Sequence, residues 1–202
     1  MRPPRQVYVN WTNAVFEEEE DPATKSFFSE IISSISDVRF SHDGRYILSR
    51  DYLTLKVWDV NMESRPLATI PIHDYLRPKL CDLYENDCIF DKFEGNWGPT
   101  GSTVLTGGYS NYFHLIDWER DSSVVLQADK SAFKSKKLAS ANKANGRTPA
   151  SAGGVGTVNP NNIDFNKKIL HASYHPREET IAIAATNNLF IFSANNPAGM
   201  PA

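Results

Sequence analysis

Five histidines, two cysteines and two glycine runs are the residues of this 202-residue chain that could do chemistry. His171 and His175 stand four apart, a spacing that on a helix could hold zinc. Their flanks argue otherwise. Ile169 to Tyr174 reads as a strand, His175-Pro176 begins a turn, and no HExxH is present. His42, His73 and His114 are isolated. Gly107-Gly108 and Gly153-Gly154-Val155-Gly156 lack the GxGxxG or phosphate-binding-loop context that would cradle a nucleotide. Cys81 and Cys88 are seven apart with no CxxC spacing. Two isolated cysteines in a chain this long point to a reducing, intracellular setting with no bridge. No nucleophile–base constellation stands out. The expectation is a binding protein: not an enzyme, with no metal and no cofactor.

Hydrophobic content of 41% and charged content of 22% are those of a globular domain large enough for a real core. A net charge of −3 is too small to argue for nucleic acid or a membrane surface. No apolar run approaches the roughly 20 residues of a membrane helix, and Met1 to Val15 makes no convincing signal peptide. Cytoplasm or nucleus is the expected location.

The elements that would position a binding site recur. In Ile35 to Val60, Val38 and Phe40 alternate with polar neighbours, and His42-Asp43-Gly44 is a tight turn. Tyr46-Ile47-Leu48 is a second strand. Leu55, Val57 and Trp58 belong to a third, closing on Trp58-Asp59, the dipeptide of a WD-type propeller blade. The pair of strands returns at Val104–Gly107 with Phe113–Asp117, and at Ile181–Ala184 with Leu189–Phe192. Apolar spacing of two and β-branched or aromatic content exclude helices here. The turns are Arg50-Asp51-Tyr52, Gly108-Tyr109-Ser110-Asn111 and Thr186-Asn187-Asn188.

Trp58 to Ile116 is 58 residues and Ile116 to Phe192 is 76, against about 40–45 for a plain WD repeat. Two insertions hold the excess. His73 to Glu94 reads as ordered, with a helical turn over Pro78–Tyr84 and a strand over Cys88–Phe93. Asp129 to Asn162, rich in Ala, Ser, Asn, Lys and Gly, reads as a disordered loop of local charge +5. The fold class is therefore all-β: a partial WD-repeat β-propeller of about three blades, over residues 16–193, with residues 194–202 as a tail. Three blades are fewer than the four to eight that close a propeller. A fragment or short form of a longer protein is expected.

FFSEIISSISDVRFSHDGRYILSRDYLTLKVWD (from Phe27), HDYLRPKLCDLYENDCIFDKFE (from His73), DFNKKILHASYHP (from Asp164) and TNNLFIF (from Thr186) resemble the C-terminal part of the 55-kilodalton B-type regulatory subunit of protein phosphatase 2A. The likeness covers Phe16 to Phe192 except the Asp129–Asn162 loop, and LYENDCIFDKFE is its most specific segment. Met1 to Val15 does not match. The resemblance implies a seven-bladed propeller that docks on a phosphatase scaffold subunit and recruits phosphoprotein substrates with basic helical segments to a separate catalytic subunit. This chain would be the last three blades or so. A generic WD interaction scaffold, or a truncated product without a function of its own, is the alternative.

The resemblance also places the inserted segment beside a substrate groove. Tyr84, Glu85, Asp87, Phe90 and Lys92 then read as aromatic anchors with a charged rim, suited to helix capture. The plain packing alternative puts Phe90 and Phe93 in a blade core and leaves the charges solvated. Phe27 and Phe28, read as a strand, would point to opposite faces and leave one ring for a partner. The acidic run Glu17–Asp21 would steer basic segments, or would simply be solvated. Ser49, Asp51 and Trp58 suggest the buried network of WD blades. Its expected histidine before the first strand is missing, with Ser34 and Ser36 near its place.

Overall fold

In the computed structural model, residues 14–17, 25–129 and 162–194 are described. Three antiparallel sheets follow one another along the chain. The first, in the order β1-β2-β3-β4, comprises β1 (Asp37–Phe40), β2 (Tyr46–Arg50), β3 (Thr54–Asp59) and β4 (Ala68–Pro71). The second comprises β5 (Gly95–Trp97), β6 (Thr103–Gly107), β7 (Tyr112–Asp117) and β8 (Ser122–Gln127), again in sequence order. The third comprises β9 (Ala172–Tyr174), β10 (Thr180–Ala185) and β11 (Asn188–Ser193). Four-stranded meanders of this kind are propeller blades. Their first strands run side by side, β1 beside β5 and β5 beside β9.

The sequence spacings reappear as bonds between blades. The Gly95 N–H donates to Asp37 and the Trp97 indole to the Arg39 carbonyl, each across 58 residues. The Asn96 amide donates to the Ala172 carbonyl across 76. The repeat offset is thus the distance along the chain from one inner strand to the next.

Because side chains alternate across a strand, each sheet offers two faces. Leu48, Leu55 and Val57 of the first sheet pack against Trp97, Val104 and Ile116 of the second. Leu105 and Phe113, on the second sheet's other face, pack against Ile181, Ile183 and Phe190 of the third. The outermost faces are open: Val38 and Phe40 on one, Leu189 and Ile191 on the other, are exposed apolar side chains.

A third cluster lies among the connections. Tyr52 and Leu53 of the β2–β3 turn meet Leu76, Leu83, Ile89 and Phe93 of the inserted segment, and Tyr109 of the β6–β7 turn. Ile163, Phe165 and Leu170 close it from the third unit. Arg50 and His73 sit at its edge, fully buried, with the guanidinium 5.7 Å from the Phe93 ring centroid. Burial pushes Arg50 down to about 10, and holds His73 well below the usual imidazole range.

Several expectations change. Cys88–Phe93 is no strand: Cys88–Phe90 is a single 3-10 turn, closed by the Asp91 N–H on the Cys88 carbonyl at 3.0 Å. Its alternation arises because Ile89 and Phe93 enter the loop core while Phe90 faces out. Phe27 and Phe28 form a turn into the short helix α1 (Ser29–Ile32), whose Ile31 and Ile32 N–H groups bond the Phe28 carbonyl. Ile169 and Leu170 precede β9 rather than belong to it. The helical turn over Pro78–Tyr84 is present, as a 3-10 stretch Asp74–Lys79 followed by α2 (Leu80–Glu85). Trp58 donates its indole N–H to Ser49 at 2.8 Å, while Asp51 caps its own turn through the Leu53 and Thr54 N–H groups instead of orienting a histidine. Ser36 donates to the Phe93 carbonyl at 2.6 Å. Trp58 lies on the first sheet's outer face, against the Phe16 ring at 5.8 Å, and not between two described blades. Residues 130–161 of the second insertion, 1–13, 18–24 and 195–202 lie outside the described residues, and with them the loop, most of the acidic run and the tail.

Candidate functional site

Two short elements from distant parts of the chain bring four rings together. The Phe27-Phe28 turn lies against α2 and the 3-10 turn beyond it. Phe27 and Phe28 stand edge to face at 5.2 Å. Tyr84 meets Phe27 at 5.8 Å and Phe28 at 5.9 Å, and reaches Phe90 at 5.8 Å. Phe27 is 73% exposed, Phe90 49% and Tyr84 41%, whereas Phe28 is half-buried against the loop core. Contiguous exposed aromatic area of this kind is unusual on a protein surface, which makes the four rings a candidate platform for a partner.

The bend between α2 and the 3-10 turn sets the spacing of Tyr84 and Phe90. Asp87 makes it with φ at 59°, a left-handed conformation that Asp tolerates better than most residues. Asp87 is therefore a conformational residue as well as a rim charge. Glu85 and Asp87 are both exposed, and neither makes an ion pair among the described residues. Lys92 is exposed and donates to the Ser34 hydroxyl at 3.1 Å. All seven residues singled out from the sequence thus lie on or beside one platform. The packing alternative divides: Phe93 is fully buried, and Phe90 is not.

What the sequence did not single out is the support beneath. The Tyr109 hydroxyl stands 3.0 Å from the Tyr52 hydroxyl, and 2.9 Å from both the Cys88 carbonyl and Asp91 Oδ2. Burial drives both tyrosines far above the usual phenol range, so they remain protonated donors. Lys168 pairs with Asp91 Oδ1. The available signal was that Tyr52 and Tyr109 recur in equivalent turns, 57 residues apart.

The histidine pair resolves as strand flanks. His171 bonds Glu94 at 2.9 Å and His175 accepts the Arg177 N–H at 3.3 Å, one at each end of β9. Among the described residues no group of three His, Cys, Asp or Glu could hold a metal, and no helix is long and apolar enough to cross a membrane. Cys81 and Cys88 are free thiols.

No family model matches the chain. Individual relatives do. The B-type PP2A regulatory subunit of Schizosaccharomyces pombe is 58% identical over 197 residues, covering 89% of this chain and 42% of that protein. The beta isoform of the 55 kDa B-type regulatory subunit of Carassius auratus is 54% identical, over 88% of this chain and 40% of its own length. The human gamma isoform is 52% identical over 88% and 39%. Among solved structures, the β-propeller domain of Myceliophteria thermophila Cps50 (Swd1) aligns over 81% of this chain and 37% of its own, with a TM-score of 0.48 and 12% identity. The chain spans about two fifths of the length of the curated relatives it matches. Over that shared span the chain is similar in sequence, at 52–58% identity, to B-type regulatory subunits of protein phosphatase 2A.

Proposed function

We propose that this chain acts as part of a substrate-targeting subunit of the protein phosphatase 2A holoenzyme, with the Phe27–Phe28–Tyr84–Phe90 platform as its capture surface. It is non-catalytic in this reading. Its partners are the phosphatase scaffold and catalytic subunits and the phosphoproteins brought to them. Two free thiols support a reducing compartment, the cytoplasm or nucleus.

The observation that carries the reading is the chain of four rings, three of them exposed by two fifths or more, with acidic Glu85 and Asp87 and the cation Lys92 nearby in the same segment. An amphipathic helix sets apolar side chains three or four residues apart, a spacing that suits rings 5–6 Å from one another. Basic residues on such a helix would meet Glu85 and Asp87. Lys92 would favour an acidic residue or a phosphate.

The test uses a holoenzyme reconstituted with a full-length relative carrying the changes at the aligned positions. Tyr84→Ala should cost about 2 kcal/mol of substrate affinity and Glu85→Arg somewhat less, with melting temperature and scaffold binding unchanged. Normal substrate binding by both variants, or unfolding of both, would overturn the assignment.

A further inference from the structure

We infer that Tyr109, Asp91 and Lys168 are positioning residues that lock the 3-10 turn presenting Phe90, and so set the geometry of the platform. The inference rests on the capture reading above. It concerns the buried polar groups beneath the platform, which touch no partner themselves.

A single 3-10 turn has poor hydrogen-bond geometry and little stability of its own. Cys88–Phe90 begins after a left-handed Asp87, closes through one bond from the Asp91 N–H at 3.0 Å, and carries a longer one from Phe90 to the Asp87 carbonyl at 3.3 Å. Its conformation must come from outside. Ile89 anchors it in the loop core, but one apolar anchor does not fix rotation about itself. The polar contacts do. Tyr52 can donate to the Tyr109 oxygen, leaving the Tyr109 proton for the Cys88 carbonyl or the Asp91 carboxylate, both at 2.9 Å. The charged acceptor holds it more strongly. Lys168 occupies the other carboxylate oxygen.

The turn is therefore gripped at its Asp91 end, where one carboxylate oxygen takes the Tyr109 proton and the other pairs with Lys168, while the same hydroxyl lies against the Cys88 carbonyl at 2.9 Å. The grips come from outside the segment: Tyr109 from the β6–β7 turn of the second sheet, and Lys168 from the segment before β9 of the third. The Lys168 backbone pairs with Tyr109 in an isolated antiparallel bridge, so the two grips move together. Tyr109 is itself pinned by rings on three sides: Phe93 at 5.1 Å, Phe165 at 4.9 Å and His73 at 5.4 Å.

The test has two readouts in the reconstituted holoenzyme carrying the full-length relative. Cys88 sits on the turn and Cys81 on α2, so the ratio of their labelling rates by a thiol reagent reports turn order; the Lys168 charge favours the Cys88 thiolate, so losing it would by itself lower the ratio, and a rise reports loosening. The second readout is dephosphorylation of a phosphopeptide bearing a basic amphipathic helix, compared with para-nitrophenyl phosphate, which needs no docking. Tyr109→Phe and Lys168→Met should each raise the Cys88:Cys81 ratio. Each should raise KM for the peptide about fivefold, the worth of one net hydrogen bond, with kcat and the small-substrate rate unchanged. Lys168→Arg should restore both readouts. An unchanged labelling ratio overturns the lock. A raised ratio with unchanged KM, where Tyr84→Ala does raise KM, overturns the positioning role alone. Tyr84→Ala without effect on KM overturns the capture reading and the positioning role with it.

Discussion

Gly107 ends β6 where the third unit crosses closest to the second. A Cβ there would lie 2.0 Å from the Ile169 carbonyl oxygen, 2.6 Å from its Cγ2 and 2.9 Å from its carbonyl carbon. Side-chain carbons essentially never approach within 3.0 Å, so Gly107→Ala must open this contact by at least 1 Å (3.0 − 2.0). The nearest obstacle is backbone and cannot rotate away. The Ile169 N–H also donates to the Gly108 carbonyl at 2.9 Å, and an opening of that size endangers the bond. Overpacking strain of about 1–3 kcal/mol plus one net hydrogen bond of about 1 kcal/mol gives a loss of about 2–4 kcal/mol. Gly101→Ala is the contrast. Its added Cβ meets nothing within 4 Å, and only its φ of +76° is unfavourable, which costs about 1–2 kcal/mol. Urea denaturation of a full-length relative substituted at the aligned positions should rank Gly107→Ala as the more destabilising. Lys168 adjoins Ile169, so the same variant should weaken the pair with Asp91 and loosen the platform. A change below about 0.5 kcal/mol for Gly107→Ala would mean that the second and third units do not approach as described.

Three other outcomes are expected. Trp58→Ala removes a buried indole and its bond to Ser49, and should cost about 3–5 kcal/mol by urea midpoint; a loss under about 1 kcal/mol would place Trp58 in solvent. Burial, then the Arg50 charge, push His114 down to about 4, and the same causes hold His73 well below the usual imidazole range. Both are neutral in the fold and gain protons on unfolding, so their stabilisation is complete above about pH 6.5 and drains as pH falls towards 4. His114 alone accounts for about 3 kcal/mol of that loss, and a urea midpoint flat between pH 7 and 4.5 would refute it. The isolated chain should self-associate through the open faces at Val38 and Phe40 and at Leu189 and Ile191; Phe40→Lys with Ile191→Lys should reduce the sedimenting mass, and a monodisperse unsubstituted monomer would contradict this.

Hairpins were legible because period-two alternation and tight turns are local. So was the Trp58–Ser49 contact, since Ile47↔Trp58 and Ser49↔Lys56 pairing sets both side chains on one face. The inserted segment was not legible in the same way. Cys88–Phe93 alternates because its side chains alternate between loop core and solvent, a pattern that a strand and an irregular turn share. Phe27-Phe28 reads as a strand from its two adjacent rings, but the flanking serines close it into a turn: the Ser29 N–H bonds the Ser26 carbonyl at 3.0 Å and the Ser26 N–H bonds Ser29 Oγ at 2.8 Å. The buried Tyr52–Tyr109–Asp91 contacts span 57 and 18 residues, and no local pattern encodes them. The fourth strands β4 and β8 were missed for another reason. As the outer strands of their sheets, β4 shows no fully buried residue and neither does β8.

The repeat explains why a platform built on loops can be ordered at all. Lys92 of the second unit donates to Ser34 of the first, 58 residues earlier. Lys168 of the third pairs with Asp91 of the second, 77 residues earlier. Nearly equivalent positions in successive units, each just before its inner strand, thus reach back to the unit before. The segment bearing Phe90 is the middle member of this ladder, tied on one side through Lys92 and on the other through Asp91. Loops between blades carry function because a rigid frame positions them. Here the ties extend that frame upward from the sheets into the connections, over the core of Tyr52, Leu83, Ile89, Phe93 and Tyr109. A disturbance at either blade boundary should therefore reach the platform without touching any ring in it. On the proposed reading, Gly107, on a strand of the second sheet, and Tyr109, buried beneath the rings, would then act on capture indirectly, through the geometry of the platform.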